Sequence, residues 1–362
     1  MLSAWPSVGK LKVKCRISSM VREVIAKLVE KVNLSQGEAE AVMNEIMSGE
    51  ATPSQIGAFV TALRMKGETA EEIAGCARAM RAHGTKVVTS KSPLMDTCGT
   101  GGDGAQTFNV STAVAFVIAG AGVAVAKHGN RSVSSRCGSA DVLEALGVRI
   151  ELRSAQMARC IDEIGIGFLF APLLHPAMKH AAVPRREIGV RTIFNILGPL
   201  TNPASASIQL LGVYDSRLVE TMAEVLDILG VYSALVVHGA GGLDELSLAG
   251  SNKISHLHDS RVNTYYLDPR ELGLPSVEST EIKGGTPEEN AMAMRALLSR
   301  EKGAKRDTVL LNAAAGLVAA EMVSGFKEGL ELAAESIDSG KALNKLDQLV
   351  RFSQSLGRND DN

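Results

Sequence analysis

The apolar residues between Val21 and about His83 recur three and four positions apart, which is the spacing that places them on one face of an α-helix. The pattern falls into four short runs, separated by residues that commonly begin or end helices. The start signals are Ser35, Thr52 followed by Pro53, and Thr69, and the end signals are Gly49, Gly67 and Gly84. Short helices of this kind pack on one another, so the pattern predicts a small all-helical domain.

After Lys86 the pattern changes to short apolar runs that alternate with helical stretches. The runs that predict strands are LMDTC, VAVAK, IGFLFA, IQLLGVY, ALVVHG and TYYLD. This alternation is typical of a mainly parallel sheet with helices on both faces, in which ligands bind at the carboxyl ends of strands. The predicted fold class is α/β: a small all-helical domain plus a larger α/β domain with a mainly parallel central sheet flanked by helices.

One long excursion, residues 173–203, interrupts the alternation of strands and helices. Its first part is helical in pattern, and its cations are Lys179, Arg185, Arg186 and Arg191. Pro199 and Pro203 predict a rigid turn back toward the sheet, and the chain is predicted to be helical again from Pro287. The predicted divisions are an N-terminal extension (1–19), a helical domain (20–86), a first α/β part (87–172), the excursion (173–203), a second α/β part (204–356) and a frayed tail (357–362).

A glycine-rich loop follows the first predicted strand and leads into a helix. Its glycines are Gly99, Gly101, Gly102 and Gly104. Glycine lets backbone N–H groups approach a ligand and adopts the positive φ angles that such a loop needs. The helix predicted after Asn109 adds unpaired N–H groups and a positive dipole end, and Ser111 and Thr112 add hydroxyls. These features predict a cradle for phosphate.

A second loop of the same kind follows the next predicted strand. The run VAVA leads into Lys127, His128, Asn130 and Arg131, and Ser139 is predicted to be the N-cap of the helix that contains DVLEAL. The segment therefore offers two phosphate cradles with cations beside them.

Two common nucleotide-binding patterns do not fit the glycine loop. Gly99, Gly101 and Gly104 satisfy the dinucleotide pattern G-x-G-x-x-G, but about twenty residues later, where that pattern requires an acidic residue, the chain has Lys127 and His128. No Gly-Lys-Ser/Thr follows the loop, so the Walker pattern also fails. A tight turn with no ligand remains an alternative.

Two adjacent carboxylates, Asp244 and Glu245, follow GAGGL at another predicted strand end. Hard carboxylates of this kind suit Mg²⁺, which is usually shared between one or two carboxylates and substrate phosphates. A solvated acidic turn is the alternative. Asp103, inside the glycine loop, is expected either to contact the metal or a ribose or to form a turn.

Composition narrows the class of protein. The 362 residues are 45% hydrophobic and 22% charged with a net charge of −2, which is ordinary for a globular protein and offers no basic field for nucleic acid. Five widely spaced cysteines without a CxxC pair argue against a disulfide framework and a structural zinc site, and favour a reducing, cytoplasmic location. No apolar stretch is long enough for a membrane span, and the N-terminal extension does not resemble a signal peptide. His256 and His258 alternate as an edge-strand pair would and require no metal.

Several motifs, in order, resemble those of the anthranilate phosphoribosyltransferase family. They are DTCGTGGDG (96–104), NVST (109–112), KHGNR (127–131), GSAD (138–141) and GGLDE (241–245), and the likeness runs from roughly Met20 to Leu349. The resemblance implies a phosphoribosyltransferase-like fold and the transfer of a phosphoribosyl group from 5-phosphoribosyl 1-pyrophosphate (PRPP) to the amine of anthranilate in tryptophan biosynthesis. It further implies that Ser111 joins Asp244 and Glu245 in binding Mg²⁺.

The resemblance also implies which residues bind the substrates. PRPP would be bound by Gly99, Thr100, Gly101, Gly102, Asp103, Thr107, Asn109, Val110, Ser111, Thr112, Lys127, His128, Gly129, Asn130, Arg131, Ser132, Val133, Ser134, Ser135 and Ser139. Lys127 and Mg²⁺ would stabilise the departing pyrophosphate. Anthranilate would be bound by Gly99, His128, Asn130 and Arg185, with Arg185 holding the carboxylate and His175 a looser candidate. No general base is assigned, because the aromatic amine is already neutral at pH 7, although His128 is the nearest candidate.

One departure from the family pattern and two alternative functions remain. The family commonly has Pro-Val-Arg where this chain has Val183-Pro184-Arg185, which leaves the choice between Arg185 and Arg186 open. The family's excursion returns to the helical domain and closes over the active site, and the resemblance implies a homodimer joined through that domain. The alternatives are a pyrimidine nucleoside phosphorylase and a nucleic-acid-binding relative of the same fold, although neither nucleic acid nor membrane is an expected partner.

Overall fold

The computed structural model describes residues 19–132 and 136–358. The predicted N-terminal extension (1–19) therefore lies outside the described residues, apart from Ser19, which begins the first helix. The last helix ends at Arg358, and the remainder of the predicted tail lies outside the described residues. No helix within the described ranges is long and apolar enough to cross a membrane.

Four helices form the N-terminal region: α1 (Ser19–Val29), α2 (Gln36–Met47), α3 (Pro53–Lys66) and α4 (Ala70–Ala82). The predicted caps are confirmed. Ser35, Thr52 and Thr69 are the N-caps of α2, α3 and α4, and each forms a reciprocal capping box with the Glu or Gln three residues later. Because these side chains satisfy backbone groups that a helix end leaves unpaired, the short helices begin at defined positions.

The larger domain is built on a seven-stranded sheet, with the strand order β3-β2-β1-β4-β5-β6-β7. The strands are β1 (Met95–Gly99), β2 (Val125–Gly129), β3 (Ile166–Phe170), β4 (Ile208–Gly212), β5 (Ser233–His238), β6 (Asn252–His258) and β7 (Arg261–Leu267). The strands from β3 to β5 are parallel, and β6 and β7 are antiparallel additions. The predicted fold class is confirmed.

The six predicted strand runs correspond to β1–β5 and β7, so β6 is the strand that the apolar pattern did not predict. The expectation that His256 and His258 lie on an edge strand is wrong. They belong to β6, which hydrogen-bonds to β5 on one side and to β7 on the other.

Helices surround the sheet. Before the excursion they are α5 (Val110–Gly120), α6 (Ser139–Ala145), α7 (Ser154–Ile164) and α8 (Ala171–Leu174). After it they are α11 (Leu218–Ile228), α12 (Pro287–Leu298), α13 (Ala304–Ala319), α14 (Phe326–Asp338) and α15 (Lys341–Arg358). Helix α5 is apolar and buried along nearly its whole length, because it lies between the sheet and the C-terminal helices α13, α14 and α15.

The excursion contains α9 (Lys179–Ile188) and α10 (Phe194–Leu197). Helix α9 packs on α3 and α2, so the chain returns here to the helical domain. Ala181, Ile193 and Phe194 join a buried apolar cluster made by α1–α4, and the same cluster continues into α11 and one face of β4 and β5. A second cluster fills the rest of the sheet region. The helical domain is thus packed directly onto the sheet domain.

Candidate active site

Four parallel strand ends meet at one edge of the sheet. Strands β2, β1, β4 and β5 are neighbours, so the loops after Gly129, Gly99, Gly212 and His238 leave the same edge. Chain order reverses between β1 and β4, because the chain proceeds from β1 to β2 on one side and from β4 to β5 on the other. A reversal of this kind separates the two sets of loops and leaves a crevice for a ligand.

The glycine loop adopts the conformation that its composition predicts. Gly101, Gly102 and Gly104 have φ values of 66°, 78° and 78°, in the left-handed region that other residues rarely adopt. Helix α5 begins directly after this loop, and Asn109 is its N-cap. The first-turn N–H groups of α5 therefore lie next to the loop, as an anion site requires.

The acidic loop after β5 is packed closely against its neighbouring strands. A Cβ atom at Gly212 would overlap the carbonyl oxygen of Asp244, and a Cβ at Gly239 would overlap the carbonyl oxygen of Glu245. The side chain of Asp244 accepts a hydrogen bond from the backbone N–H of Gly101 at 2.6 Å. The acidic loop and the glycine loop are therefore in direct contact.

The carboxylates at this contact repel one another. Burial raises the pKa of Asp244 to about 7, and the charge of Asp103 adds to this shift. Burial also raises the pKa of Glu245 well above its usual value, and Asp244 raises it further, whereas a hydrogen bond with Thr107 lowers it. Three carboxyl groups therefore lie together, and burial and mutual repulsion disfavour the charged forms of Asp244 and Glu245 when no cation is present.

One oxygen of Asp103 and one oxygen of Glu245 lack partners. Oδ2 of Asp103 and Oε1 of Glu245 are buried and have no hydrogen-bond partner, although Oδ1 of Asp103 accepts a turn hydrogen bond from the N–H of Ala105 at 3.1 Å. An unpaired buried carboxylate is costly, so these oxygens fit a divalent cation. Ser111 lines the same small cavity as Asp244 and Glu245.

The protein provides only part of a metal coordination shell. Within the described ranges, no group of three or more His, Cys, Asp or Glu side chains is arranged to hold a metal ion by itself. This arrangement fits Mg²⁺, which usually keeps several coordination positions for water and substrate phosphate oxygens.

Lys127 lies at the base of the glycine loop. Its ammonium is nearly fully buried and donates to the carbonyl of Thr97 at 2.6 Å and to Oγ of Ser111 at 3.2 Å. Burial lowers the pKa of Lys127, and the buried carboxylate of Asp96 acts in the opposite direction. The lysine therefore places its charge between β1 and the first turn of α5.

Asp96 links strands β1 and β2 to the end of the excursion. This fully buried carboxylate accepts hydrogen bonds from the backbone N–H of His128 at 3.1 Å and from Nδ2 of Asn202 at 2.8 Å. Asn202 also donates to the carbonyl of Ala126 at 2.8 Å. No local sequence pattern indicates a role for Asp96 or Asn202, because their partners are brought together only by the sheet and the returning excursion.

Asn109 joins the two predicted cradles through its side chain. Its Nδ2 donates to the carbonyl of Cys137 at 3.1 Å, and its Oδ1 accepts from Nδ2 of Asn290 at 3.0 Å. Asn109 was predicted to contact PRPP, but its side-chain amide already links the start of α5 to the second loop and to α12. We therefore interpret it as a residue that positions the cradles.

The second loop differs from its prediction at the helix start. Gly138, not Ser139, is the N-cap of α6, and Ser139 is the first helical residue. The reason is that Asp141 accepts hydrogen bonds from the backbone N–H groups of Gly138 at 2.8 Å and Ser132 at 3.1 Å, which satisfies the turn without a serine cap. Oγ of Ser139 instead donates to the carbonyl of Asn130 at 3.2 Å.

Arg131, predicted to contact PRPP, is already paired. Its guanidinium forms ion pairs with Asp141 at 3.1 Å and with Glu144. These carboxylates reduce the positive charge that the loop offers to a ligand. The predicted PRPP contacts Val133, Ser134 and Ser135 lie outside the described residues.

His128 and His175 lie side by side where the excursion faces β2. Their ring centroids are 5.2 Å apart in an edge-to-face arrangement, and both rings are buried. Burial lowers the pKa of His128 to about 3, His175 lowers it further, and the carbonyl of Gly198 acts in the opposite direction. Burial also lowers the pKa of His175. Both rings are therefore neutral at pH 7, and both Nε2 atoms are buried without a hydrogen-bond partner.

Helix α9 continues through Pro184, so the Val183-Pro184 departure does not end the helix. Arg185 is half-buried, and its guanidinium has no hydrogen bond or ion pair with any described residue. Burial lowers its pKa, as expected for a cation that lacks an anion. Arg186 is exposed. Of the two arginines, Arg185 is thus the one that the fold turns inward.

Arg191 lies at the candidate site, whereas the sequence indicated only that it is a cation of the excursion. Its guanidinium donates to the carbonyl of Gly102 and stacks 4.3 Å above the ring of Tyr214. The backbone N–H of Tyr214 donates to Oγ1 of Thr100 at 3.1 Å. The excursion and β4 therefore both hold the glycine loop, through contacts between segments that no local pattern could connect.

Two family profiles match this chain. Residues 22–84 match the helical bundle domain of the glycosyl transferase family, and residues 91–343 match its a/b domain. The chain is 54% identical over 337 residues to the anthranilate phosphoribosyltransferase of Acetivibrio thermocellus, covering 93% of this chain and 98% of that one. It is 57% identical over 336 residues to that of Desulfotalea psychrophila, covering 92% and 97%.

Solved structures with the same architecture extend the comparison. The anthranilate phosphoribosyltransferase of Thermus thermophilus is 46% identical, with a TM-score of 0.87 over 91% of this chain and 99% of that one. That of Saccharomyces cerevisiae, in complex with PRPP and Mg, is 30% identical, with a TM-score of 0.86 over 93% and 99%. The yeast enzyme is also known in complex with 4-fluoroanthranilate, with a TM-score of 0.83, 29% identity and coverage of 92% and 98%.

Proposed function

Because this chain belongs to the anthranilate phosphoribosyltransferase family, we propose that it transfers the 5-phosphoribosyl group from PRPP to the amine of anthranilate. The products are N-(5-phosphoribosyl)anthranilate and pyrophosphate, in a step of tryptophan biosynthesis. The family resemblance drawn from the sequence motifs is confirmed. The relatives named above favour this reaction over that of a pyrimidine nucleoside phosphorylase.

One observation carries the proposal: the contact between Asp244 and the backbone N–H of Gly101. It brings an acidic cluster with two unpaired oxygens to the edge of a glycine loop that precedes a helix start. A phosphate cradle beside such carboxylates fits a metal–pyrophosphate ligand, because the metal balances both the carboxylates and the phosphates. The crevice between β1 and β4 is where the fold class binds such ligands.

We propose that Asp244 and Glu245, with Ser111 beside them, hold Mg²⁺. The unpaired oxygens of the acidic cluster support this assignment, as does the yeast relative in complex with PRPP and Mg. When bound, Mg²⁺ would supply positive charge to the departing pyrophosphate. The residues proposed to surround PRPP are the glycine loop, Thr107, Val110, Thr112 and the loop that follows Lys127.

The reaction breaks the anomeric C–O bond of the ribose and forms a C–N bond to anthranilate, and the amine then loses a proton. Positive charge develops on the ribose and negative charge on pyrophosphate. Lys127 and the first turn of α5 lie where they can stabilise that negative charge, since the ammonium is held against Ser111. Because the bond is polarised in this way, a strong base is unnecessary and positioning provides much of the rate.

We propose that anthranilate binds between β2 and the excursion. Arg185 is half-buried without an anionic partner, and a guanidinium can hold a carboxylate through two hydrogen bonds. The neutral rings of His128 and His175 have buried, unpaired Nε2 atoms that suit the N–H groups of an aromatic amine. Exposed Asn130 would contribute a further polar contact.

We also propose that the enzyme is a cytoplasmic homodimer joined through the helical domain. Large apolar side chains stay exposed there, including Val29, Val32 and Met65, and a second copy would cover them. Among the described cysteines, Cys76, Cys98 and Cys160 form no disulfide, which supports a reducing compartment.

A turnover assay tests the proposed reaction and its metal together. The purified chain with anthranilate, PRPP and Mg²⁺ should consume anthranilate, measured as loss of its fluorescence, and chelation of Mg²⁺ should abolish the signal. The double variant Asp244→Ala/Glu245→Ala should lose at least about 100-fold in kcat/KM, because each tenfold loss corresponds to only about 1.4 kcal/mol of lost charge stabilisation.

The matched control for this assay is Glu224→Ala, which removes an exposed carboxylate from α11. It should retain normal turnover. Absence of turnover by the unmodified enzyme would refute the proposed reaction. Normal turnover by the folded double variant at low Mg²⁺ would refute the metal assignment alone.

A further inference from the structure

The acidic loop is held in place by a buried amide from a distant helix. Asn312 lies in the middle of α13 and is 2% exposed. Its Oδ1 accepts from the backbone N–H of Leu246 at 2.9 Å, and its Nδ2 donates to the carbonyl of the same residue at 2.9 Å. Nδ2 also donates to the carbonyl of Thr308 at 2.9 Å. Leu246 directly follows the carboxylate pair, so this clamp fixes the backbone next to it.

The chemistry of this clamp is specific to asparagine. An amide both donates and accepts, so it can pair with the N–H and the carbonyl of one residue as a neighbouring strand would. Aspartate of the same size lacks the donor, and leucine lacks both groups. A buried polar side chain persists only where its hydrogen bonds are satisfied, and the three bonds of Asn312 are all made to backbone groups.

Repulsion between carboxylates is a physical reason for a clamp on the acidic loop. Asp103, Asp244 and Glu245 lie together, and two of their oxygens are buried without partners. Mutual repulsion favours movement of these carboxylates apart or toward solvent when no cation lies between them. Asn312 lines the same small cavity as Asp244 and Glu245, and Asp244 also accepts a hydrogen bond from the glycine loop. The loop is therefore restrained through two separate contacts.

We infer that Asn312 is a positioning residue, which holds Asp244 and Glu245 at the separation that Mg²⁺ and pyrophosphate require. This inference rests on the proposed function of the carboxylate pair. Side chains that orient metal ligands without touching the metal commonly change metal affinity 10- to 100-fold when they are replaced. Asn312 would act in this way through the backbone of Leu246.

The test uses Asn312→Asp, which keeps the acceptor for Leu246 and removes both donor bonds. The full-length enzyme with saturating PRPP is titrated with Mg²⁺, and thermal stabilisation is recorded as the rise in Tm. The Mg²⁺ concentration for half of that rise should increase at least about 10-fold in the variant. The Mg²⁺ concentration for half-maximal turnover should increase in parallel, while the KM for anthranilate stays within twofold of the unmodified value.

Two further variants separate positioning from general stability. Leu317→Ala removes a fully buried apolar side chain from the same helix, so it should lower the Tm without changing the Mg²⁺ midpoint. Asn312→Ser, which is smaller and adds no charge, should shift the Mg²⁺ midpoint in the same direction as Asn312→Asp. It provides the answer if the aspartate variant does not fold.

The inference is overturned if both Asn312 variants lower the Tm as Leu317→Ala does and leave the Mg²⁺ midpoint within twofold. The Asp244→Ala/Glu245→Ala variant distinguishes this failure from failure of the proposed function. If that variant shifts the midpoint and the Asn312 variants do not, only the positioning role is wrong. If none of them shifts it, the metal site itself is wrong.

Discussion

Arg185 is a half-buried cation with no anionic partner among residues 19–132 and 136–358, and this makes it the residue most directly open to test. Arg185→Ala should raise the KM for anthranilate at least about 10-fold, because the carboxylate loses a pair of charge-assisted hydrogen bonds. The KM for PRPP should change less than twofold, since Lys127 and the glycine loop are untouched. Steady-state kinetics with each substrate varied in turn measures both constants.

Two neighbouring variants control this experiment. Arg186→Ala removes the exposed arginine of the same helix and should affect neither constant. Lys127→Ala should show the opposite bias, because its ammonium contacts Ser111 on the PRPP side. A larger anthranilate effect in Arg186→Ala would mean that the assignment of the carboxylate is off by one residue. Equal weakening of both substrates by Arg185→Ala and Lys127→Ala would argue against a divided site.

The buried imidazole of His128 should make stability depend on pH. Its folded pKa is lowered to about 3, below the unfolded value of about 6.5, so the unfolded chain binds more protons between these values. The contribution of His128 to stability is therefore complete above pH 6.5 and is lost as the pH falls toward 3. The slope is at most about 1.4 kcal/mol per pH unit.

Comparison of His128→Gln with the unmodified enzyme isolates this effect. Asp96, whose pKa burial raises to about 6, acts in the opposite direction, since its contribution falls as the pH rises from about 4 to 6. Both proteins retain Asp96, so its contribution largely cancels when the two unfolding free energies are subtracted. Urea unfolding at several pH values from 5 to 7 should give a smaller loss of unfolding free energy toward pH 5 in His128→Gln. Parallel curves would show that His128 does not titrate as described.

At the scale of elements, the packing of α2 on α4 depends on Gly75, although helix propensity alone favours alanine at such a position. Gly75 lies in α4, where α2 and α4 cross, and a Cβ there would overlap the backbone carbonyl of Gln36. Gly75→Ala should therefore destabilise the protein by about 1–3 kcal/mol, as overpacked interiors do. The shift of the urea unfolding midpoint of the full chain measures the effect.

Gly37→Ala in α2 is the matched control for this prediction. No atom lies within 4 Å of the Cβ that it would add. Its expected effect is a stabilisation of up to about 1 kcal/mol, because alanine is the better helix former. If both substitutions stabilised the chain to a similar extent, close packing between α2 and α4 would not be what requires Gly75.

The elements that were predictable from sequence are those whose signals are local. Ser35, Thr52 and Thr69 could be identified as caps because each cap and its partner lie three residues apart. The apolar runs did not predict β6, which was indicated only by the alternation of His256 and His258, because its apolar pattern is broken by polar residues such as Asn252, whose buried amide bonds with the backbone of Ser247. Ser139 was misplaced as a cap because Asp141 satisfies the turn instead.

The residues of the candidate site likewise form two groups, those with a local sequence signal and those without one. The glycine loop and the Asp244-Glu245 pair could be located because each is a short motif at a strand end. Asn312 could not be found, because it lies 66 residues from Leu246 and is the one polar residue of α13 after Thr308. Arg191 could be seen as a charge but not as a contact of Gly102, 89 residues away. Such residues acquire a role only from the tertiary fold.

At the scale of the whole molecule, the proposed substrate sites lie between two packed domains. Arg81 of α4 donates to the carbonyl of Leu200 at the end of the excursion, and Arg78 donates to the carbonyl of Ile228 at the end of α11 at 2.9 Å. The two arginines are three residues apart, so one face of α4 fixes the helical domain to the end of the excursion and to α11. The ends of α1 and α3 form an uncovered surface with exposed apolar side chains.

That uncovered surface should form the dimer interface. Val29 is 65% exposed and Met65 is 82% exposed, at the ends of helices α1 and α3, which pack on each other. Burying such side chains against a second copy is favourable by roughly 25 cal/mol per Å² of apolar surface. The double variant Val29→Glu/Met65→Glu should therefore sediment as a monomer at micromolar concentration, at which the unmodified enzyme should sediment as a dimer.

The control for the dimer prediction is Met292→Glu. Met292 is a comparably exposed methionine, at 66%, but it lies on α12 of the sheet domain. Because the substitution adds the same charge away from α1 and α3, Met292→Glu should remain dimeric. A monomeric unmodified enzyme would remove the proposed dimer altogether. Dissociation by Met292→Glu with a stable dimer in Val29→Glu/Met65→Glu would place the interface on the sheet domain, and the exposed apolar ends of α1 and α3 would then need another explanation.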